Sequence, residues 1–105
     1  MLLLYIIKMG IVYKIKCIDD NVQDFYIGST VNFNRRISQH KYNVLTGKEM
    51  HRILYKTIRE NGFWVNWQVE ILANVKTNNI KHLRRVEQLY LRNFKPTLNI
   101  IQKCS

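Results

Sequence analysis

Glu87 has the most unusual surroundings of any acid in the chain. It is the only carboxylate between Lys76 and the C-terminus, a stretch that also holds seven Lys and Arg. It falls on a stripe of Ile80, Leu83, Tyr90, Leu91 and Phe94, which recur at helical spacing. A carboxylate on an apolar face is costly unless something positive neutralises it. Either a neighbouring arginine or a metal ion is that partner, or the register leaves this face only half buried. An acid in a basic field suits phosphodiester chemistry, because the bases hold phosphates and the acid holds a divalent cation. Arg36 and His40 offer the complement one helical turn apart, beside Phe33 and Ile37. Arginine binds phosphate oxygens bidentately and keeps its proton, so it can stabilise charge that develops on phosphorus-bound oxygens. His40 is expected to move a proton near neutral pH. Tyr13 and Tyr26 supply phenols, although lone tyrosines are mostly core aromatics.

These side chains need elements to hold them. Residues 11–18 alternate, with Ile11, Tyr13, Ile15 and Cys17 on one face and Val12, Lys14 and Lys16 on the other. Asp19, Asp20 and Asn21 form a turn cluster, and a short strand, Phe25 to Ile27, is expected to stop at Gly28. A helix follows over 33–42 with Asn32 as its N-cap. A second helix covers about 50–61, ended by Gly62 in a left-handed conformation. Val65, Trp67, Val69 and Ile71 alternate with polar residues, which predicts a third strand with one solvated face. Asn78 or Asn79 caps a third helix that runs to Phe94, and Pro96 blocks its continuation. The order ββααβα implies an α/β (α+β) domain, a three-stranded antiparallel sheet flanked by helices.

Composition narrows the partners. The chain has 105 residues, 17 Lys and Arg against 7 Asp and Glu, and a net charge of +10. That suits one domain, here residues 10–105, with an anionic partner. Residues 1–9 read as an N-terminal extension, either an extra strand or a disordered segment, and Met9 is an alternative start. They lack the charged n-region and cleavage site of a signal peptide. No apolar run approaches the roughly 20 residues of a membrane span, and a membrane-surface role would need a free apolar helix face. Cys17 and Cys104 make no disulfide framework, so an intracellular, reducing compartment is expected. Seven Lys and Arg against one acid lie between Arg35 and Arg59. Arg35, Lys41, Arg52 and Lys56 are therefore candidate phosphate contacts, the plain alternative being a solvated helix face. Tyr42, Tyr55 or Trp64 could stack on unpaired bases if exposed.

The ordered positions resemble those of the GIY-YIG nuclease domain, over about Gly10 to Ile100. They are Gly10-Ile-Val-Tyr13, then Tyr26-Ile-Gly28-Ser29, then Asn32 to Arg36 with His40, the helical Glu87, and Asn99. The first motif has one residue more than the family name implies. The resemblance implies catalytic roles for Tyr13, Tyr26, Arg36, His40 and Asn99. It implies a metal-ligand role for Glu87 and structural roles for Gly10 and Gly28. His51 and Tyr55 sit where some members contact DNA. Ser29 stands where some branches carry lysine, so the chain looks more like the homing-endonuclease branch, with Ser29 at the nucleic-acid surface.

The mechanism implied by the resemblance is metal-dependent DNA hydrolysis to 5′-phosphate and 3′-hydroxyl ends, with one Mg2+ or Mn2+ on Glu87. Tyr13 would act as general base or water orienter, with His40 or Tyr26 as relay, and Arg36 would stabilise the phosphate. The substrate would be duplex or branched DNA. With no added recognition module expected, specificity would be low or would come from a homodimer or an accessory protein. The rival reading is a non-catalytic nucleic-acid-binding module on the same fold.

Overall fold

The computed structural model describes residues 8–49 and 52–100. Strands β1 (Lys8–Cys17) and β2 (Phe25–Thr30) are followed by helices α1 (Phe33–Thr46) and α2 (Ile53–Glu60). Strand β3 (Trp67–Thr77) and helix α3 (Ile80–Phe94) complete the order ββααβα. Short 3-10 turns, Trp64–Asn66 and Thr97–Asn99, precede β3 and follow α3. The three strands form an antiparallel sheet in the order β2-β1-β3, as the sequence led one to expect.

β1 is the central strand, and its alternation assigns the two faces. Tyr13, Ile15 and Cys17 enter a core with Tyr26, Val44, Leu54, Tyr55, Ile58, Trp67 and Leu98. This core lies under α1 and α2. Val12 and Ile27 point to the other face and meet Leu83 of α3, with Val86, Tyr90 and Leu91 around them. Helices therefore cover both faces of the sheet.

Element ends follow local chemistry. The Asn32 side chain accepts from the Arg35 amide, and the Asn79 side chain accepts from the Lys81 amide, so both helices start on an Asx cap. α1 outruns the expected end at Tyr42 by a turn and stops at Gly47, whose φ of 76° closes the helix. The reason is burial, since Asn43 and Val44 are both core residues. α2 begins at Ile53 rather than near Met50, and Met50 and His51 lie outside the described residues. Gly62 has the expected positive φ, 92°.

Other expectations are corrected. β2 does not stop at Gly28 but pairs with β1 through Thr30. Val65 belongs to a 3-10 turn, so β3 starts at Trp67. The alternation of β3 then breaks at a bulge. Tyr13 pairs with Ile71 and Val12 with Ala73, leaving Leu72 as an extra residue. Past this point Leu72, Ala73 and Val75 pack toward the α3 core, so the strand lacks the continuous solvated face expected. The α3 stripe is also thinner than its periodicity suggested. Only Leu83 is fully buried, and Ile80 and Phe94 are each 49% exposed. Lys8 and Met9 of the supposed extension belong to β1, and residues 1–7 lie outside the described residues.

Leu83 fills the space that Gly10 leaves open. A Cβ on Gly10 would sit 2.7 Å from Leu83 Cδ1. Alone, Leu83→Ala should cost about 2–5 kcal/mol of stability and Gly10→Ala about 1–3 kcal/mol. In the double variant the new methyl enters the new cavity. Urea melts should show a loss smaller than the sum of the two by about 1 kcal/mol or more. Additive losses would show that the two side chains do not share this space.

Candidate active site

The site is built where the edge strand β2 meets α1. Tyr13 reaches it from β1, Tyr26 from β2, Arg36 and His40 from α1, and Tyr55 from α2. The spacing that put Phe33, Arg36, Ile37 and His40 on one helical face is realised, and His40 is completely buried. Its Nε2 lies 2.8 Å from the Tyr13 hydroxyl and its Nδ1 2.8 Å from the Tyr55 hydroxyl. The Asn43 side-chain amide donates to the same Tyr55 oxygen at 3.2 Å. The rings of Phe33 and Tyr26 enclose the pair, with Phe33 edge-on to Tyr13 at 5.9 Å and Tyr26 edge-on to His40 at 5.7 Å.

Gly28 is required by close approach. A Cβ there would lie 2.6 Å from the Tyr13 hydroxyl and 2.8 Å from the Tyr26 ring. Gly28 is not among the positive-φ residues, so its role is to leave room for the phenol.

The electrostatics follow from burial. Burial pushes the Tyr13 phenol far above its ordinary value near 10, the Tyr26 phenol adds to the rise, and the Arg36 guanidinium offsets part of it. His40 is held down to about 3, first by burial and then by the charges of Arg36 and Arg52. It is thus neutral near pH 7, which corrects the expectation of a histidine titrating there. Burial pulls the Arg36 value down, but Tyr13, Tyr26 and Tyr55 around it leave the net shift upward.

Arg36 is half-buried and donates to Gln39 Oε1 at 2.9 Å. With Thr30, Asn32, Arg35 and Gln39 it lines an open cleft of about 220 Å3. This cleft adjoins the phenol cluster through Arg36.

Glu87 stands on the other face of the sheet. It is half-buried on α3, and the Ser29 hydroxyl donates to its Oε1 at 2.5 Å. Its inferred apolar setting is therefore partly a hydrogen-bonded one. Tyr26 and Gly28 face α1 while Ser29 faces α3, so one stretch of β2 serves both groups. Asn99 braces that stretch. Its amide accepts from the Ile27 N–H at 3.0 Å and donates to the Ile27 carbonyl at 2.6 Å, so both ends are committed to the backbone of β2.

The remaining candidates are dispersed. Arg35 reaches the cleft. Lys41 borders a separate apolar hollow with Leu45, Phe63 and Val65. Lys56 is exposed, and the Arg52 guanidinium sits 5.5 Å over the Tyr55 ring. Tyr55 itself is 0% exposed, so it cannot touch DNA or stack on a base. Ser29 is engaged with Glu87. Asn43 and Gln39 were missed. Asn43 lies three residues after His40 on the same helical face, and that spacing was the available signal.

Neutral His40 makes stability pH-dependent. The unfolded chain binds a proton on this ring near pH 6.5 and the folded chain only near 3. Stability is therefore unaffected by this group above about 6.5 and is lost as pH falls toward 3, by up to ~1.4 kcal/mol per unit. Urea melts at pH 7 and pH 5 should differ by about 2 kcal/mol from this cause. His40→Gln should flatten that slope, and an unchanged slope would show that His40 is charged in the folded protein.

A family model of the GIY-YIG catalytic domain matches residues 9–99. No match was found among curated proteins or among solved structures. The match spans both motif strands, the arginine helix, the glutamate helix and the asparagine that braces β2, and the chain belongs to the GIY-YIG nuclease family.

Proposed function

We propose that the chain is a DNA endonuclease that hydrolyses phosphodiester bonds with one divalent cation, Mg2+ or Mn2+, leaving 5′-phosphate and 3′-hydroxyl ends. The observation that supports this most directly is the double placement of Arg36. Its guanidinium lies beside the Tyr13 phenol and also on the wall of an open polar cleft.

A phosphate in that cleft would take the Arg36 guanidinium as a bidentate donor. In the free protein Tyr13 has no exposed surface. A phosphate that draws Arg36 outward from Gln39 also opens the Tyr13 oxygen to water. Tyr13 then gives its phenol proton to solvent water, with Arg36 favouring the ionised form, and the phenolate orients the attacking water and takes its proton.

Glu87 fits a cation that keeps most of its own waters. No group of three His, Cys, Asp or Glu occurs among the described residues, so a closed protein cage is not the design. A single carboxylate steadied by Ser29 suits Mg2+ or Mn2+ when substrate phosphate and water complete the shell. A cation held by Glu87 would supply positive charge to the oxygens that become negative as the phosphodiester breaks. Arg35, Lys41, Arg52 and Lys56 add sequence-independent attraction to duplex or branched DNA, and a second copy or an accessory protein would add specificity. No described helix is long and apolar enough to cross a membrane.

Supercoiled plasmid should be nicked or linearised with Mg2+ or Mn2+ and left intact with EDTA. Arg36→Ala and Glu87→Ala should each slow cutting by roughly 10²–10³-fold. The rate should rise from neutral into alkaline pH, because the Tyr13 proton is held tightly, with no inflection near 6.5 from His40. An uncut plasmid that the protein nevertheless binds would favour the non-catalytic module. Equal cutting by Glu87→Ala would remove the metal-ligand role.

A further inference from the structure

The helix that carries Glu87 also carries an aromatic pair. Glu87, Tyr90 and Phe94 follow one another on α3 at spacings of three and four residues. Seven residues are close to two full turns, so Glu87 and Phe94 share one line along the helix, about 10 Å apart. The Tyr90 and Phe94 rings are nearly parallel, with an interplanar angle of 6° and centroids 5.9 Å apart. Parallel rings in full overlap would lie much closer, so these are offset and neither covers the whole face of the other. Tyr90 packs against the Leu83 core. Phe94 lies outside both core clusters and is 49% exposed.

The charge around this pair is one-sided. Arg84, one turn before Glu87, and Lys95, directly after Phe94, are both exposed. Glu87 is the only acid from Lys76 to the C-terminus. An aromatic ring left in water beside cations suits either an apolar side chain of a partner protein or a nucleobase whose phosphates meet those cations. Two observations favour the nucleobase. The net charge of +10 calls for an anionic partner, and the rings continue the line of Glu87, which the nuclease reading sets near the scissile phosphate. A base inside a duplex has its faces covered by neighbouring bases, so only an unpaired base can reach the rings.

We propose that Phe94, backed by Tyr90, is a stacking platform for an unpaired nucleobase, with Arg84 and Lys95 taking the flanking phosphates. Phe94 supplies the exposed face, and Tyr90, held in the core, fixes the tilt of that face. The preferred substrate is then DNA with a single-stranded segment beside the scissile phosphate, such as a flap or a fork, over blunt duplex. Stacking accepts any base, because every base has a π-face, so this preference is for structure and not for sequence. The place of the platform beside the cut rests on the nuclease reading above, while the binding of unpaired bases does not.

The test has two arms. In EDTA, the full-length wild type is titrated with a fluorescein-labelled oligothymidine and with an abasic strand of equal phosphate count. The base-bearing strand should bind about tenfold tighter. Both should show the same salt dependence, because their phosphates are equal. NMR of the wild-type complex should show contacts between thymine protons and the Phe94 ring. Phe94→Leu keeps an apolar side chain and loses the aromatic face, and should bring the two affinities within about twofold. Equal wild-type affinities, or a folded Phe94→Leu that keeps the full preference, would overturn the platform. If that variant does not fold, the wild-type spectrum decides, and thymine contacts that omit Phe94 would overturn it. In the second arm Mg2+ or Mn2+ is added. A forked substrate should be cut about tenfold faster than a blunt duplex of the same sequence. Equal rates would overturn the substrate preference. A wild type that prefers the base-bearing strand but cuts neither DNA would sink the nuclease reading and support the platform as a binding site.

Discussion

The 2.8 Å hydrogen bond between Tyr13 and His40 links the central strand to the first helix inside the buried core. Burying two phenols, an imidazole and an amide is unfavourable unless each finds a partner. Here they are partners of one another, and no buried side-chain nitrogen or oxygen among the described residues lacks one. Such a network fixes more than its own atoms. α1 must present His40 at one rotation about its axis, α2 must bring Tyr55 to the other ring nitrogen, and β2 must carry glycine where the phenol passes. Arg36, one turn before His40, then has no choice but to face the same phenol.

The same arrangement sets the chemistry in tension. The burial that gives the cluster its geometry also holds Tyr13 protonated and His40 uncharged. A site dry enough to position a base is one where that base is hard to ionise. The compensating group is Arg36, whose guanidinium keeps its proton.

Much of this was legible in the sequence, for identifiable reasons. Asn32 and Asn79 declared their helix starts because an Asx cap is a local device. Tyr13 and His40 could be placed facing the sheet because periods of 2 and 3.6 are also local. The bulge at Leu72 was not legible, because its cause is the register against β1 and not the composition of β3. Tyr55 was misplaced for a related reason. It sits in a basic segment between Arg52 and Lys56, and charge pattern alone reads that as surface. Yet Leu54, Tyr55 and Ile58 form the inner face of α2, and the ring nitrogen that makes a buried hydroxyl tolerable lies fifteen residues away on another helix. Glu87 shows the converse. Its exceptional position on the stripe was visible, but its hydroxyl partner comes from a strand 58 residues earlier.

That separation makes β2 the element between the two groups. The Tyr13–Arg36 group and the Glu87–Ser29 group sit on opposite faces of the sheet and share the outer part of β2. β2 is an edge strand. Asn99 covers that edge by bonding both backbone groups of Ile27, one residue before Gly28. The inner strand β1 is paired on both sides. A two-sided site of this kind needs a thin element between its halves, and a strand whose local sequence is Tyr-Ile-Gly-Ser meets that need. Alternating side chains serve alternate faces, and the glycine leaves the room that the Tyr13 hydroxyl occupies.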